Sequence, residues 1–371
     1  MRRTRPLLTW IVVLFVALLT SFAPALPPGS VIAPFAAAHV RQAKSAVVNP
    51  LGVNVHAPAK YLPDNPANMA EWAAFDALLA SLPKGTPIRV PLYWYEWAWS
   101  KTTVYGFEHI DAKVRYIAKY DLPVIWEGTP LPWAGSWWSP IAVWGAVALE
   151  DFPELVKRFG LGMTLLRQSM AKYGMPEKGT KFHLGNEPAS GHPGGNIGLP
   201  KGEWYDRVGS LYEQMVKGAD FGGLTLVLPS LSMQDHDADT ALRERTSAQP
   251  FLRKIARAKK GGGAIASTHM RLHAPNVSTV AYAAAWLDRL GKYLKTARDL
   301  SGRPNAIATE VYLFREDRPA NLDDRAEILR IVAPKLPPGT FLYRVGPGPS
   351  DPSTQLPVDA VKAANAASRG S

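Results

Sequence analysis

Short apolar runs alternate along the chain with longer segments of helical periodicity, from Val47 to the C-terminus. Each run has about five residues and is rich in β-branched or aromatic side chains, as buried parallel strands are. On this basis we predict eight strands: Gly52–His56, Ile88–Tyr93, Pro123–Glu127, Lys181–Asn186, Thr225–Pro229, Ala264–His269, Ala306–Glu310 and Thr340–Val345.

The segments between these runs repeat apolar residues at steps of three and four, the spacing of one face of an α-helix. Eight strand-then-helix units in one chain predict an α/β fold, a (β/α)8 TIM barrel, with Pro357–Ala366 as the last helix. An open doubly wound sheet is the competing architecture, but His56-Ala57-Pro58 follows the first strand in place of a Gly-rich phosphate-binding turn. The helical pattern occurs at Trp72, Phe75, Leu79 and Leu82, at Trp204, Val208, Leu211 and Met215, and at Trp286, Leu290 and Leu294.

The N-terminus has the layout of an export signal. Arg2, Arg3 and Arg5 precede an apolar stretch from Leu7 to Phe22, and Ala23-Pro24-Ala25 follows as a small-residue cleavage signal. An uncleaved membrane anchor is the alternative, because the stretch is nearly long enough to span a bilayer. We therefore predict a secreted or extracytoplasmic protein.

The predicted organisation has three parts: residues 1–25 as the signal peptide or anchor, 26–46 as a linker, and 47–371 as the barrel domain. The formal charge of +11 arises from 42 basic and 31 acidic residues spread along the chain. No concentrated basic face indicates a nucleic-acid partner. The chain has no cysteine, which excludes disulfides, iron–sulfur clusters and a cysteine nucleophile. The sequence does not indicate an oligomeric state.

Polar residues end several of the predicted strands, and the active site of such a barrel lies at the carboxyl ends of its strands. Glu187 follows the fourth strand and Glu310 ends the seventh, so these carboxylates would face each other across the barrel mouth. Glycoside hydrolysis needs such a pair, one to protonate the leaving oxygen and one to attack the sugar. Either glutamate could instead be a solvated loop residue. Glu310 argues against that, since a charge ending an apolar strand is costly unless it is paired or functional.

The triplet Asn186-Glu187-Pro188, with a second glutamate ending a later strand, resembles glycoside hydrolase clan A. Ile88-Arg89-Val90-Pro91-Leu92 is similar to the arginine segment on the second strand of that clan. Thr129-Pro130 with Trp133 is similar to the loop after the third strand of family 39 members. The resemblance is to family 39 or family 5, covers nearly the whole chain from Val47, and implies a retaining O-glycosyl hydrolase without a cofactor.

The resemblance also implies roles for individual residues. Glu187 would be the general acid/base and Glu310 the nucleophile, while Arg89 would keep Glu310 ionised. Asn186 would bond the 2-hydroxyl of the sugar, and His269 matches a position near the nucleophile.

Two positions depart from the clan. The clan usually has a tryptophan at the end of the eighth strand as a floor for the reacting sugar, and this chain has Tyr343, which we assign to substrate binding. A tyrosine that often contacts the nucleophile from the sixth strand is also not obvious here, since Met270 and Arg271 follow His269.

Tryptophan is concentrated in one part of the chain, because eight of the twelve lie between residues 94 and 144. Most fall in the predicted loops after the second and third strands. Aromatic rings pack against the faces of pyranose rings, although a single tryptophan is more often part of the core. We predict substrate contacts for Trp94, Trp133 and Trp138.

These observations favour an exported retaining glycosidase that cleaves a polysaccharide internally. One alternative is a non-catalytic carbohydrate-binding or polysaccharide-assembly barrel. Another is a metal-dependent hydrolase using His56, His183, His269 and His273, but no matched aspartate accompanies these histidines and we predict no metal site.

Overall fold

The computed structural model describes residues 51–55, 57–58, 69–92, 107–128, 152–185, 201–233, 238–259, 263–270, 278–312, 322–345, 362 and 365. The chain divides into two units, residues 1–46 and 47–371, and every described residue lies in the second. The predicted signal and linker therefore lie outside the described residues.

Strands and helices alternate through the described part of the chain. The strands are β1 (Gly52–Val55), β2 (Ile88–Leu92), β3 (Val124–Gly128), β4 (Lys181–Leu184), β5 (Thr225–Val227), β6 (Leu231–Met233), β7 (Ala264–Met270), β8 (Ala306–Val311) and β9 (Thr340–Val345). The helices are α1 (Met69–Ser81), α2 (Phe107–Ile117), α3 (Phe152–Lys172), α4 (Lys201–Gly218), α5 (Ala238–Ala258), α6 (Thr279–Ser301) and α7 (Leu322–Val332), which a 3-10 turn, Ala333–Lys335, follows.

All strand pairings are parallel, and the sheet closes on itself. The strand order is β5-β4-β3-β2-β1-β9-β8-β7-β6, and β5 also pairs with β7. Because β6 continues the path of β5 alongside β7, the two segments form the fifth strand of an eight-stranded barrel. The interruption falls at Pro229, which lacks the N–H that a ladder needs. The structure thus confirms the (β/α)8 barrel. The predicted fifth strand, Thr225–Pro229, matches only the first segment, β5, and the second segment, β6, begins after its predicted end.

Side chains alternate between the inside of the barrel and the helical layer, as the period of a strand requires. On β3, Trp126 packs into the large core between strands and helices, whereas Ile125 belongs to a separate cluster. That cluster joins Ile125 with Val227, Ile307 and Phe341, from β5, β8 and β9. An apolar layer therefore closes the barrel interior, and the next inward position along β3 is Glu127.

The last described residues tie the end of the domain to its first strand. Asn365 Oδ1 accepts a hydrogen bond from the backbone N–H of Leu51 (2.8 Å), and its Nδ2 donates to the carbonyl of the same residue (3.4 Å). Lys362 and Asn365 are helical, and the rest of the predicted helix Pro357–Ala366 lies outside the described residues. None of the helices in the described ranges is long and apolar enough to cross a membrane.

Candidate active site

A buried arginine stands at the centre of the polar side chains inside the barrel. Arg89, on β2, is 3% exposed. Its Nη1 donates to Asn54 Oδ1 (2.6 Å) and to Glu310 Oε2 (3.1 Å). Its Nη2 lies 2.9 Å from Glu127 Oε2 and 3.4 Å from His183 Nδ1. One guanidinium therefore contacts side chains from four other strands.

Asn54 holds this arginine and also connects the strands on either side. Its Nδ2 donates to the backbone carbonyl of Leu342 (2.8 Å) on β9 and to that of Thr309 (3.0 Å) on β8. These two bonds fix the Asn54 amide with its Oδ1 toward Arg89. Asn54 therefore holds the guanidinium in place.

Glu310 reaches the barrel interior through a local irregularity of β8. Thr268 on β7 pairs with Ala308, but His269 pairs with Glu310, so β8 holds one additional residue, Thr309. The pairing of β8 with β9 shows the same shift between Ala308 and Val311. Bulges of this kind redirect side chains next to functional sites. Here the inward-facing side chains of the strand include both Thr309, bonded to Ser230, and Glu310, bonded to Arg89.

Both oxygens of the Glu310 carboxylate have partners. Oε2 pairs with Arg89 and lies 3.7 Å from His269 Nε2. Oε1 accepts a hydrogen bond from the hydroxyl of Tyr312, two residues further along the chain. The residue is only 4% exposed, and its neighbours on three sides hold the carboxylate in one orientation.

Tyr312 is itself anchored through its backbone. Its N–H donates to the carbonyl of Met270 (3.0 Å), and its carbonyl accepts from the indole N–H of Trp286 (3.0 Å). The strand β7 and the helix α6 thus fix the tyrosine from which Glu310 accepts its hydrogen bond.

A polar layer lies behind Arg89 and is closed to solvent. The hydroxyl of Ser230 is within hydrogen-bond distance of His183 Nε2 (3.0 Å), Ser267 Oγ (2.6 Å) and Thr309 Oγ1 (2.7 Å). Ser267 in turn donates to the carbonyl of Leu228 (2.7 Å). These bonds satisfy the polar groups that a buried layer must pair.

Burial, and after it the charge of Arg89, hold the pKa of His183 well below its ordinary value of 6.5. The neutral ring has one acceptor and one donor. Since the guanidinium can only donate, Nδ1 is the acceptor and Nε2 donates to the hydroxyl of Ser230. A second proton, on Nδ1, would place a positive charge beside the guanidinium of Arg89.

The structure brings together three of the residues that the sequence assigns to the site: Arg89, His269 and Glu310. The backbone of Tyr343 lies on β9. The other predicted site residues lie outside the described residues: Asn186, Glu187, Trp94, Trp133 and Trp138.

Gly185, the residue directly before Asn186, is the last of the described range 152–185 and has a left-handed backbone. Gly185 has φ of +80°, and its N–H donates to the carbonyl of Gly128 (2.8 Å). A Cβ at this position would lie 2.7 Å from the hydroxyl of Tyr212. The close approach and the positive φ together require glycine immediately before the Asn-Glu-Pro triplet.

Tyr312 and the role of Glu127 were not predicted, although the sequence carries a signal for each. Tyr312 follows Glu310 by two residues, the spacing of side chains on one face of a strand. Glu127 follows an apolar run, Val124 to Trp126, in the same way that Glu310 ends an apolar strand. In the described ranges, no three His, Asp or Glu side chains are grouped closely enough to hold a metal ion.

The structure is similar to solved glycoside hydrolases. A GH5-4 broad-specificity endoglucanase from an uncultured bacterium has a TM-score of 0.56 at 13% identity, over 86% of this chain and 94% of that chain. A GH5_18 protein from Streptomyces cattleya in complex with Manβ1-4GlcNAc has a TM-score of 0.56 at 17% identity, over 86% and 80%. An exo-β-1,4-mannosidase from Opitutaceae bacterium strain TAV5 has a TM-score of 0.53 at 15% identity, over 87% and 60%.

No protein-family model matches the sequence, and no curated protein sequence matches it. At identities of this size, the structural likeness establishes the barrel fold.

Proposed function

We propose that the chain is an exported retaining glycoside hydrolase that cleaves a polysaccharide internally, with Glu310 as nucleophile and Glu187 as general acid/base. The observation that supports this most directly is the setting of Glu310. It is a buried carboxylate near the carboxyl end of a barrel strand, fixed by Arg89 and by the hydroxyl of Tyr312. A nucleophile must hold one orientation toward the reacting carbon, about 3–3.5 Å away.

In the proposed reaction, an oxygen of Glu310 forms a bond to the anomeric carbon while the glycosidic C–O bond breaks. Glu187 donates its proton to the departing oxygen, and a covalent glycosyl-enzyme results. Glu187 then takes a proton from water, which attacks the same carbon and releases Glu310 as a carboxylate. Arg89 and Tyr312 orient the carboxylate of Glu310 in the first step and stabilise it again when it is released in the second.

The structures of similar fold support the substrate class. These proteins include an endoglucanase and a mannosidase, and one was solved with a disaccharide. The order of elements is also the one expected for the clan that the Asn186-Glu187-Pro188 triplet resembles. We extend the proposal to Asn186, His269 and Tyr343 as residues that contact the reacting sugar, and to Trp94, Trp133 and Trp138 as stacking residues.

The test uses a polysaccharide panel and two variants. Release of new reducing ends by the purified chain supports hydrolysis, and its absence across the panel favours the non-catalytic carbohydrate-binding alternative. Glu310→Ala should abolish hydrolysis of every substrate. Glu187→Ala should spare an activated aryl glycoside, whose departure needs little protonation. Azide should rescue Glu187→Ala with retention and Glu310→Ala with inversion of the anomeric configuration.

Internal cleavage and export have separate tests. Internal cleavage predicts that the mean chain length of the polymer falls quickly while few small sugars appear. Steady release of a single small sugar would contradict it. Export predicts that the expressed full chain is found outside the cytoplasm after fractionation, and cleavage near Ala25 predicts a new N-terminus there.

A further inference from the structure

The candidate site holds a carboxylate that the two-carboxylate mechanism does not use. Glu127 lies on β3, with Pro91 of β2 and His183 of β4 as its Cα partners. Its side chain faces the barrel interior, where it pairs with Arg89, and the residue is 8% exposed.

Glu127 shares its cation with the proposed nucleophile. The Nη2 atom of Arg89 lies 2.9 Å from Glu127, and the Nη1 atom of the same guanidinium lies 3.1 Å from Glu310. Two buried carboxylates thus flank one positive charge. Burial of an ion is costly unless it is compensated, and a second anion on the same cation weakens that compensation.

Arg89 is held by a neutral partner as well as by the two carboxylates. Asn54 already holds Nη1 of Arg89 at 2.6 Å, and Asn54 is itself fixed by two backbone carbonyls. For the reaction, a second anion beside Arg89 competes with Glu310 for the guanidinium. Contact with a ligand gives a buried carboxylate at this position a function that offsets that competition.

We propose that Glu127 is a specificity-determining residue, which accepts hydrogen bonds from hydroxyl groups of a neutral sugar in the reacting position and excludes a uronic acid there. The inference rests on the proposed function. A sugar whose anomeric carbon is within reach of Glu310 lies beside the guanidinium that Glu127 also contacts.

The chemistry of the carboxylate determines what it selects. An ionised carboxylate only accepts hydrogen bonds, so sugar hydroxyls are suitable donors. The carboxylate of a uronic acid would bring a third negative charge beside Glu127 and Glu310. Repulsion between like charges is strong in a buried setting, where water screens them little. The substrate class is therefore a polysaccharide with a neutral sugar on the non-reducing side of the cleaved bond.

The experiment compares aryl β-glucosides and β-mannosides with the matching aryl uronides, which differ only in a carboxylate at C6. The wild-type chain should prefer the neutral member by at least about tenfold in kcat/KM, or about 1.4 kcal/mol. Glu127→Gln should lower kcat/KM for the neutral sugar and reduce this preference at least about tenfold. Glu127→Asp, which keeps the charge, should retain the preference while it lowers turnover.

The matched control is Glu177→Gln. Glu177 also forms an ion pair with an arginine, Arg167 (2.7 Å), but on the partly exposed outer layer of the barrel. This variant should leave both kcat/KM values unchanged. Loss of the two activities by the same factor in Glu127→Gln would overturn the inference, because that is the result of a structural role alone.

Failure of the proposed function can be separated from failure of this inference. If the wild-type chain hydrolyses none of the aryl glycosides, binding of glucose, mannose and their uronic acids is measured by saturation-transfer NMR. Binding of the neutral sugars that is weakened in Glu127→Gln but not in Glu177→Gln supports the role of Glu127 in a non-catalytic site. Equal binding by wild type and Glu127→Gln, or no binding by either, overturns it.

Discussion

At the scale of single residues, each charged group of the site is held in place by only a few partners. Glu310 is oriented by a guanidinium and a phenol, and Arg89 is oriented by an amide and two carboxylates. Each contact comes from a different strand or from a different point on the same strand. Removal of one partner therefore changes the position or the charge balance of the others.

Tyr312→Phe tests the phenol. The ring is kept, so the fold should persist, but Glu310 loses the hydrogen bond to Oε1. Hydrogen bonds to charged groups contribute about 1.5–3 kcal/mol. The bond is already present in the free chain and orients the attacking carboxylate, so its loss should lower kcat about ten- to hundredfold with little change in KM.

Tyr173→Phe is the control for this variant. Its hydroxyl donates to Asp111 Oδ2 (2.9 Å) in a cluster among the outer helices. Equal kinetic losses in the two variants would remove Tyr312 from the site.

Arg89→Ala should destabilise the fold as well as stop turnover, because it leaves Glu127 and Glu310 buried without their shared cation. Loss of one partner of a buried ion pair costs about 3–5 kcal/mol. In the Arg89→Ala background, Glu127→Gln should recover part of the lost free energy of unfolding, since it removes one of the two anions. Denaturant unfolding measures both values, and further destabilisation by the second substitution would contradict the charge account.

At the scale of elements, the strand pattern in the sequence predicted most of the barrel. Apolar runs end within one or two residues of the observed strands, because buried parallel strands are apolar on both faces. The bulge at Thr309 and the break at Pro229 were not predicted. A bulge is defined by the pairing of a strand with its neighbours, and a linear pattern does not contain that pairing.

The same distinction holds for the site. Glu310 could be predicted because it is a charged residue at the end of an apolar run, whereas Arg89 and His269 were assigned to the site through the resemblance to clan A. The sharing of Arg89 by Glu127 and Glu310 depends on side-chain directions from three strands, which follow only from the closed sheet.

Gly185→Ala tests the turn between β4 and the Asn186-Glu187 pair. Alanine at φ of +80° costs about 1–2 kcal/mol, and its Cβ would meet the hydroxyl of Tyr212 at 2.7 Å. We expect a lower free energy of unfolding, with part of the loss recovered by Tyr212→Phe in the same chain. Thermal unfolding of the single and double variants measures this, and an unchanged Gly185→Ala midpoint would contradict it.

At the scale of the whole molecule, the barrel encloses a polar interior whose protonation is linked to folding. The pKa of His183 is well below 6.5 in the folded state because of burial and Arg89, whereas the unfolded chain has the ordinary value. Below pH 6.5 the unfolded state binds a proton that the folded state does not. The contribution of His183 to stability is therefore complete above pH 6.5 and is lost as the pH falls, at up to about 1.4 kcal/mol per pH unit.

His183→Gln should remove this contribution to the pH dependence. Denaturant unfolding from pH 7.5 to pH 5 should give a steeper loss of stability for the wild-type chain than for the variant. The difference in slope is the relevant quantity, since both proteins share their other titrating groups. Parallel curves would show that His183 takes up no proton on unfolding.

The proposed mechanism requires a covalent bond between Glu310 and the sugar, and this bond can be trapped. An activated 2-deoxy-2-fluoro glycoside slows both steps and lets a glycosyl-enzyme accumulate. After incubation with the wild-type chain, mass spectrometry of the digested protein should show the mass of one fluorosugar on the peptide that contains Glu310. Tyr312→Phe should label more slowly at the same residue. A label on any other carboxylate, or turnover to a product of inverted configuration with no label, would exclude Glu310 as the nucleophile.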